Sequence, residues 1–233
     1  MFDKLIEKYT VEKSKVLVLA PHPDDEIIGC GGTLLLHKLE KSRIKCVYLN
    51  RSEQSIFLKN IPLNNRVALR EKEVSDVAGY LCFENYYFLY DVNIKSPDNE
   101  ASSALSDIVN SFNPDVLMLP WYGENHVEHK LFTLLLKNTR LELGILKYSK
   151  VLAYEVWSPI PIPTITIDIT SVFPEKKFLL KKYKSMLKNM NYMAAMEGLN
   201  SYRSIYNQNG KGYAEVFLYE NLGRYLFRSN KYV

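Results

Sequence analysis

The chain is poor in the residues that cross-link a fold. Its three cysteines, Cys30, Cys46 and Cys82, are odd in number and lack the paired spacing of a zinc ligand set. That excludes a disulfide framework and leads us to expect a reduced, cytoplasmic compartment. Long hydrophobic runs are missing too. The apolar stretches, residues 16–20 and 116–119 among them, fall far short of the roughly 18 residues that cross a bilayer, so no transmembrane segment is expected. Residues 1–10 alternate charged with apolar side chains and lack the unbroken apolar stretch of a signal peptide. Charge of one sign is also weak: 30 Lys and Arg against 26 Asp and Glu leave a net +4. The basic residues gather at 176–188, a helical stretch that reads as a solvated face rather than a nucleic-acid-binding arm. We detect no internal repeat and no low-complexity segment.

What remains is an ordinary globular composition, 47% hydrophobic and 24% charged, with ample length for a sizeable core. Its pattern alternates strands with helices. Short apolar runs predict strands over 15–20, 44–50, 86–90, 115–119, 150–156, 164–169 and 214–219. Helical periodicity predicts helices over 2–9, 33–40 (opened by glycines at 29–32), 63–81, 101–112, 126–138 and within 175–207, with a polar loop over 51–64. The expected fold is therefore α/β: a Rossmann-like, doubly wound, mostly parallel sheet with helices on both faces, plus C-terminal helices and a strand. Prolines 159, 161 and 163 punctuate a loop, but too little follows it for an independent core, so one domain over 1–233 is expected.

In such a sheet ligands bind at the carboxyl ends of strands, beside the point where strand order reverses. The loop after the first long strand reads Pro21-His22-Pro23-Asp24-Asp25-Glu26. Carboxylates crowded beside a buried strand repel one another, and one would protonate unless a cation neutralised them. His22 and Asp25, three apart, can supply a nitrogen and an oxygen to one divalent ion. The chain has four histidines, and two more lie in His126-Val127-Glu128-His129, after the strand that ends near 119. One of that pair completes a two-histidine, one-carboxylate set, which leaves a coordination position for water, as in catalytic rather than structural zinc sites. Iron(II) or cobalt(II) would also suit these donors. Singly, each cluster has a blander explanation: a turn, a helix cap, surface decoration, or a magnesium site for phosphoryl chemistry. Both together, at one edge of one sheet, favour the metal. His37 reads as a partly exposed helix histidine. Gly29, Gly31 and Gly32 fail the dinucleotide fingerprint because Leu34 stands where its last glycine belongs, and are expected to let the helix start approach the metal loop.

The hexapeptide at 21–26 followed by Gly29-Cys30-Gly31-Gly32 resembles the first motif of the LmbE-like, or PIG-L-type, zinc-dependent de-N-acetylases. His126-Val127-Glu128-His129 falls where that family carries a second motif, commonly His-Pro-Asp-His. Arg70-Glu71-Lys72-Glu73, Pro114-Asp115-Val116 and Gly212-Tyr213-Ala214-Glu215-Val216-Phe217 match further elements in order. The resemblance implies that His22, Asp25 and His129 are metal ligands, that Asp24 is the general base, and that His126 stabilises the oxyanion or protonates the leaving amine. Arg70 would hold the substrate. Glu128 stands where the family has aspartate and would orient His126 less firmly. The implied activity is hydrolysis of the N-acetyl group of an N-acetylglucosamine-type amino sugar or its conjugate. The implied partner is a small amino-sugar molecule; no nucleic-acid partner is expected, and a homo-oligomer is compatible with the sequence. Two rivals are a related metal amidase acting on a larger amide conjugate and a sugar- or metal-binding homologue without turnover. Trp121, Tyr122 and Trp157 are loop aromatics that either stack on a sugar ring or pack inside.

Overall fold

A run whose every residue is apolar has no solvent face, and residues 16–20 behave accordingly. A computed structural model describes residues 6–90, 99–188 and 190–232. In it the strand β2 (Lys15–Ala20) sends Val16, Val18 and Ala20 into one hydrophobic core and Leu17 and Leu19 into another. It lies inside an eight-stranded sheet with β1 (Glu7–Lys8), β3 (Arg43–Tyr48), β4 (Asn85–Phe88), β5 (Val116–Pro120), β6 (Lys150–Tyr154), β7 (Ile165–Asp168) and β8 (Ala214–Asn221). The order across the sheet is β1-β7-β8-β6-β5-β2-β3-β4, and every neighbouring pair is parallel except those made by β8 with β6 and β7.

The helices are α1 (Asp25–Leu39), α2 (Leu63–Leu81), α3 (Asn99–Phe112), α4 (Val127–Asn138), α5 (Leu143–Tyr148), α6 (Phe173–Leu180), α7 (Lys184–Leu187), α8 (Tyr192–Arg203), α9 (Ile205–Gln208) and α10 (Leu222–Ser229). Side chains of α1, α2, α6, α7 and α8 build the core on one face of the sheet, and those of α3, α4, α5 and α10 the core on the other. This is the doubly wound architecture expected from the alternation of elements. From β2 the chain steps outward through β3 and β4, then returns to place β5 on the opposite side of β2. The switch between β2 and β5 opens a crevice at their carboxyl ends.

Several expectations need correcting. Glu7–Lys8 is an edge strand, not part of a helix over 2–9 (residues 2–5 lie outside the described ones). Glu7 and Tyr9 donate their N–H groups to the carbonyls of Thr164 and Thr166, both at 3.0 Å, whereas so short a helix has little stability of its own. Helix α1 starts at Asp25, eight residues before the expected 33, and is broken at Cys30 (φ −140°, ψ 17°). Its glycines serve the sheet rather than the loop. A Cβ on Gly29 would stand 2.2 Å from the Tyr154 ring, and one on Gly32 2.6 Å from Ile169.

The backbone groups freed at this break are satisfied by two buried charges. Glu215 accepts from the N–H groups of Gly32 and Thr33, both at 2.8 Å, and Lys176 donates to the Ile28 carbonyl at 3.0 Å and to Glu215 at 2.6 Å. Lys176 is therefore fully buried, and the basic stretch at 176–188 is not simply a solvated face. His37 is likewise buried, at 1% exposure, rather than partly exposed.

Candidate active site

Two loops meet in the crevice: the one after β2, which carries His22 and Asp24, and the one after β5, which leads into α4. Asp25 opens α1, and His129 sits in the first turn of α4. Asp25 Oδ2 accepts from the His22 backbone N–H at 2.9 Å and lies 3.0 Å from His22 Nδ1 and 3.3 Å from His129 Nε2. The donor atoms of His22, Asp25 and His129 all fall within 4.8 Å of one another. The structure thus brings together the three residues that the resemblance designates as ligands, from positions more than a hundred residues apart.

Whether a cation suits this cluster can be judged from His129. Its ring is fully buried, yet neither nitrogen completes a hydrogen bond among the described residues. Nε2 faces Asp25, and Nδ1 lies 3.4 Å from Glu124 Oε2. An imidazole stripped of water and left without partners is costly, and a divalent ion at Nε2 removes that cost. Two imidazoles and a carboxylate are also the donor types that zinc, iron(II) and cobalt(II) take. The residues fit a metal.

The electrostatics follow from burial and crowding. Burial pushes the Asp25 carboxyl up, but the imidazoles of His129 and His22 outweigh it and hold the group well below the usual carboxylate range. Burial pushes His22 down, yet Asp25 and Glu128 raise it to about 10. Asp24 moves the other way. Burial, reinforced by the Asp25 charge and opposed by Arg70 and His22, lifts its carboxyl to about 8. Two adjacent carboxylates are thus driven apart in proton affinity, the arrangement that separates an ionised ligand from a proton acceptor.

Asp24 is held under backbone strain, with φ at +122°, a conformation that side-chain-bearing residues rarely adopt. Its neighbours impose it. The Asp24 N–H donates to Glu26 Oε2 at 3.0 Å, Glu26 in turn accepts from the Tyr183 hydroxyl, and Arg70 Nη2 donates to the Pro23 carbonyl. This corrects the expectation for Arg70. Its side chain is fully buried, with Nε on the Arg51 carbonyl (3.0 Å) and Nη1 on Glu73 (2.7 Å) and Ser185 (2.9 Å), so it braces the loop from behind and presents no donor to a substrate.

His126 precedes α4, is half-exposed, and stands edge-on to His22 at 5.2 Å between ring centroids and 4.8 Å from His129. Burial, with the nearby His129 and His22, holds its pKa below the ordinary value. Glu128 does not serve it: His126 Nδ1 is 4.0 Å from Glu128 Oε2, whereas His22 Nε2 is 2.7 Å away. Asn50 Nδ2 donates to the other Glu128 oxygen at 3.0 Å.

Sequence reasoning missed three members of this arrangement: Asn50, Glu124 and the Glu26–Tyr183 pair. Glu124 accepts from the backbone N–H groups of Val156, Trp157 and Ser158 while facing His129, and it is fully buried. Its signal is a second acidic residue beside the histidine pair of the loop after β5, two positions before His126. A cleft of about 340 Å³ opens over the cluster, with His22, Asp24, Asp25 and His126 on its floor and Phe57, Trp157 and Tyr192 among its walls. Trp121 and Tyr122 are buried, so of the three loop aromatics only Trp157 faces the cleft.

Comparison with known proteins adds the following. The family profile described as PIG-L: GlcNAc-PI de-N-acetylase matches residues 17–139, over half of the chain. Among solved structures, the conserved protein TT1542 from Thermus thermophilus is 23% identical and superposes with a TM-score of 0.71, covering 88% of this chain and 94% of that one. The N,N′-diacetylchitobiose deacetylase from Pyrococcus horikoshii is 21% identical with a TM-score of 0.72, covering 92% and 85%. The 4-carboxy-2-hydroxymuconate hydratase GalB from Pseudomonas putida is 17% identical with a TM-score of 0.72, covering 88% and 95%. These structures share the fold. That a hydratase stands among them means the scaffold alone does not name the reaction.

Proposed function

The chain belongs to the PIG-L (GlcNAc-PI de-N-acetylase) family, and from that premise we propose that it is a metal-dependent hydrolase that removes the N-acetyl group from an N-acetylglucosamine-type amino sugar or its conjugate. The observation that carries this reading is the Asp25 carboxylate oxygen poised between His22 Nδ1 and His129 Nε2 at 3.0 and 3.3 Å. We assign His22, Asp25 and His129 as the residues that would hold the ion, zinc by preference, with iron(II) or cobalt(II) suited to the same donors. The chemistry such an ion supplies when bound is Lewis acidity toward a carbonyl oxygen and toward water.

The chain's own residues do the rest. Asp24, lining the cleft beside the ligand Asp25, takes the proton of the attacking water. His126, at the open side of the cluster, donates to the oxyanion that develops on the acetyl carbonyl. The proton reaches the departing nitrogen from Asp24 or from His126, the two proton carriers in the cleft. Trp157, exposed in the cleft wall, offers a ring face to the sugar.

We take residues 1–233 as one deacetylase domain, since strands from Glu7 to Asn221 enter a single sheet. A cytoplasmic setting suits its three free cysteines, and among the described residues no helix is long and apolar enough to cross a membrane. The test has two parts. Elemental analysis of the purified protein is expected to give one transition metal per chain. A panel of N-acetylglucosamine conjugates assayed for free amine and for acetate is expected to yield both in equal amounts. Release of a larger acid would favour an amidase on a bigger conjugate. Metal and ligand binding without any product would leave a binding protein.

A further inference from the structure

The Glu128 side chain turns away from His126 and reaches His22, which gives it a different task from the one its place in the second motif suggests. We propose that Glu128, itself anchored by Asn50, is a positioning residue that latches the His22 ring so that Nδ1 faces the metal position. This rests on the metal-centre reading above.

The argument is one of donors and acceptors. His22 has two ring nitrogens, and each faces a carboxylate: Nδ1 lies 3.0 Å from Asp25 Oδ2, and Nε2 lies 2.7 Å from Glu128 Oε2. An ionised carboxylate only accepts, so the hydrogen on Nε2 is committed to Glu128. Nδ1 faces the ligand Asp25, so its hydrogen is the one that an ion shared with Asp25 and His129 would displace, freeing that lone pair. A carboxylate behind a ligating imidazole fixes both its tautomer and its ring orientation. Glu124 stands in the same relation to His129, more loosely, at 3.4 Å.

The latch is itself fixed at its far end. Asn50 Nδ2 donates to Glu128 Oε1 at 3.0 Å, while Asn50 Oδ1 accepts from the Ser52 backbone N–H at 2.8 Å. With the oxygen occupied by a backbone donor, the amide can present only its NH₂ group to Glu128. Asn50 is 3% exposed, so the latch is anchored on a buried amide at the edge of the cleft. The chain of contacts runs from the end of β3 through the first turn of α4 to the loop after β2, and so joins three strand ends around one imidazole. An aspartate at 128, one methylene shorter, falls short of this span. The extra length is what lets α4 hold His22 as well as supply His129.

Zinc affinity, measured by chelator competition on the full chain, tests this directly. Glu128→Ala is expected to weaken zinc binding by roughly 10- to 100-fold, and Asn50→Ala by a smaller factor. Glu128→Gln keeps an acceptor of the same reach and is expected to recover part of the loss. As a spectroscopic check, the zinc-loaded wild-type protein should show a slowly exchanging His22 Nε2–H resonance by ¹⁵N NMR, and Glu128→Ala should lose it while the unfolding transition of the metal-free protein stays cooperative. Zinc affinity within twofold of wild type in Glu128→Ala, with that resonance retained, would overturn the latch and return Glu128 to the substrate or to His126. Wild-type protein that takes up no zinc would overturn the metal-centre reading itself, a different result from uptake that the substitution leaves unchanged.

Discussion

At the scale of single residues, the site separates groups that hold an ion from a group that moves a proton, and substitution can tell them apart. Asp24 touches the cleft but belongs to none of the ligand pairs, so Asp24→Asn is expected to keep its metal content while turnover falls by roughly 10²- to 10⁴-fold. His129→Ala should do the reverse and lose the metal. Metal analysis beside a single-turnover assay distinguishes the two, and an Asp24→Asn protein that arrives metal-free would show that Asp24 is a ligand. Arg70 belongs to a third kind. Its guanidinium pairs with Glu73 at 2.7 Å with both side chains buried, and it also secures the Pro23 carbonyl. Arg70→Met strands the Glu73 charge, which still accepts from Ser185, and is expected to cost about 3–5 kcal/mol of stability in urea unfolding. A variant that unfolds at the wild-type midpoint but binds substrate poorly would restore the substrate-holding role. Burial is what the sequence hides here. Charged side chains read as surface until their partners are known, so nothing local marks Arg70 and Lys176 as core, whereas the close-set histidines and aspartates announce themselves by being improbable company.

At the scale of elements, legibility follows the range of the interactions that decide each one. The residues 63–81 carry a complete helical period and fold as predicted, and the apolar runs that form β2, β5 and β6 need no partner to be recognised. The start of α1 is hidden because its glycines look like a helix opening, whereas Tyr154 and Ile169, over a hundred residues away, are what require them. The antiparallel entry of β8 between β6 and β7 is equally non-local and leaves no trace in the local pattern. Helix α1 also carries a testable consequence of its burial. Desolvation lowers His37 to about 4, outweighing the backbone hydrogen bond at Glu12 that opposes it. The fold therefore keeps the ring neutral, while the unfolded chain takes up a proton below about pH 6.5. Stability from this group is complete above that value and is lost as pH falls toward 4. Between pH 7 and pH 5 the loss amounts to about 2 kcal/mol. His37→Gln should reduce the pH dependence of the urea unfolding free energy by about that amount relative to wild type; parallel curves for the two proteins would refute the assignment.

At the scale of the whole molecule, the centre sits where the two halves of the sheet part company. The β2 loop belongs to the half that winds out through β3 and β4, and α4 to the half that continues through β6. An ion held by His22 and Asp25 from one and His129 from the other would tie the two crossovers together and offset the repulsion among Asp24, Asp25 and their acidic neighbours. Because the unfolded chain has no such site, binding adds directly to folding stability, by about 2.7 kcal/mol when free metal exceeds its dissociation constant a hundredfold. For a domain of this size each kcal/mol moves the midpoint by roughly 2–4 °C. Protein stripped with a chelator is thus expected to gain roughly 5–11 °C on readdition of zinc, read by calorimetry at fixed pH and protein concentration. The decisive comparison is the increment, not the midpoint. His129→Ala will melt lower for packing reasons alone, but with the bridging ligand gone its zinc increment should collapse to near zero. An equal increment in both proteins would mean that the ion binds elsewhere, and that the two crossovers are joined by packing alone.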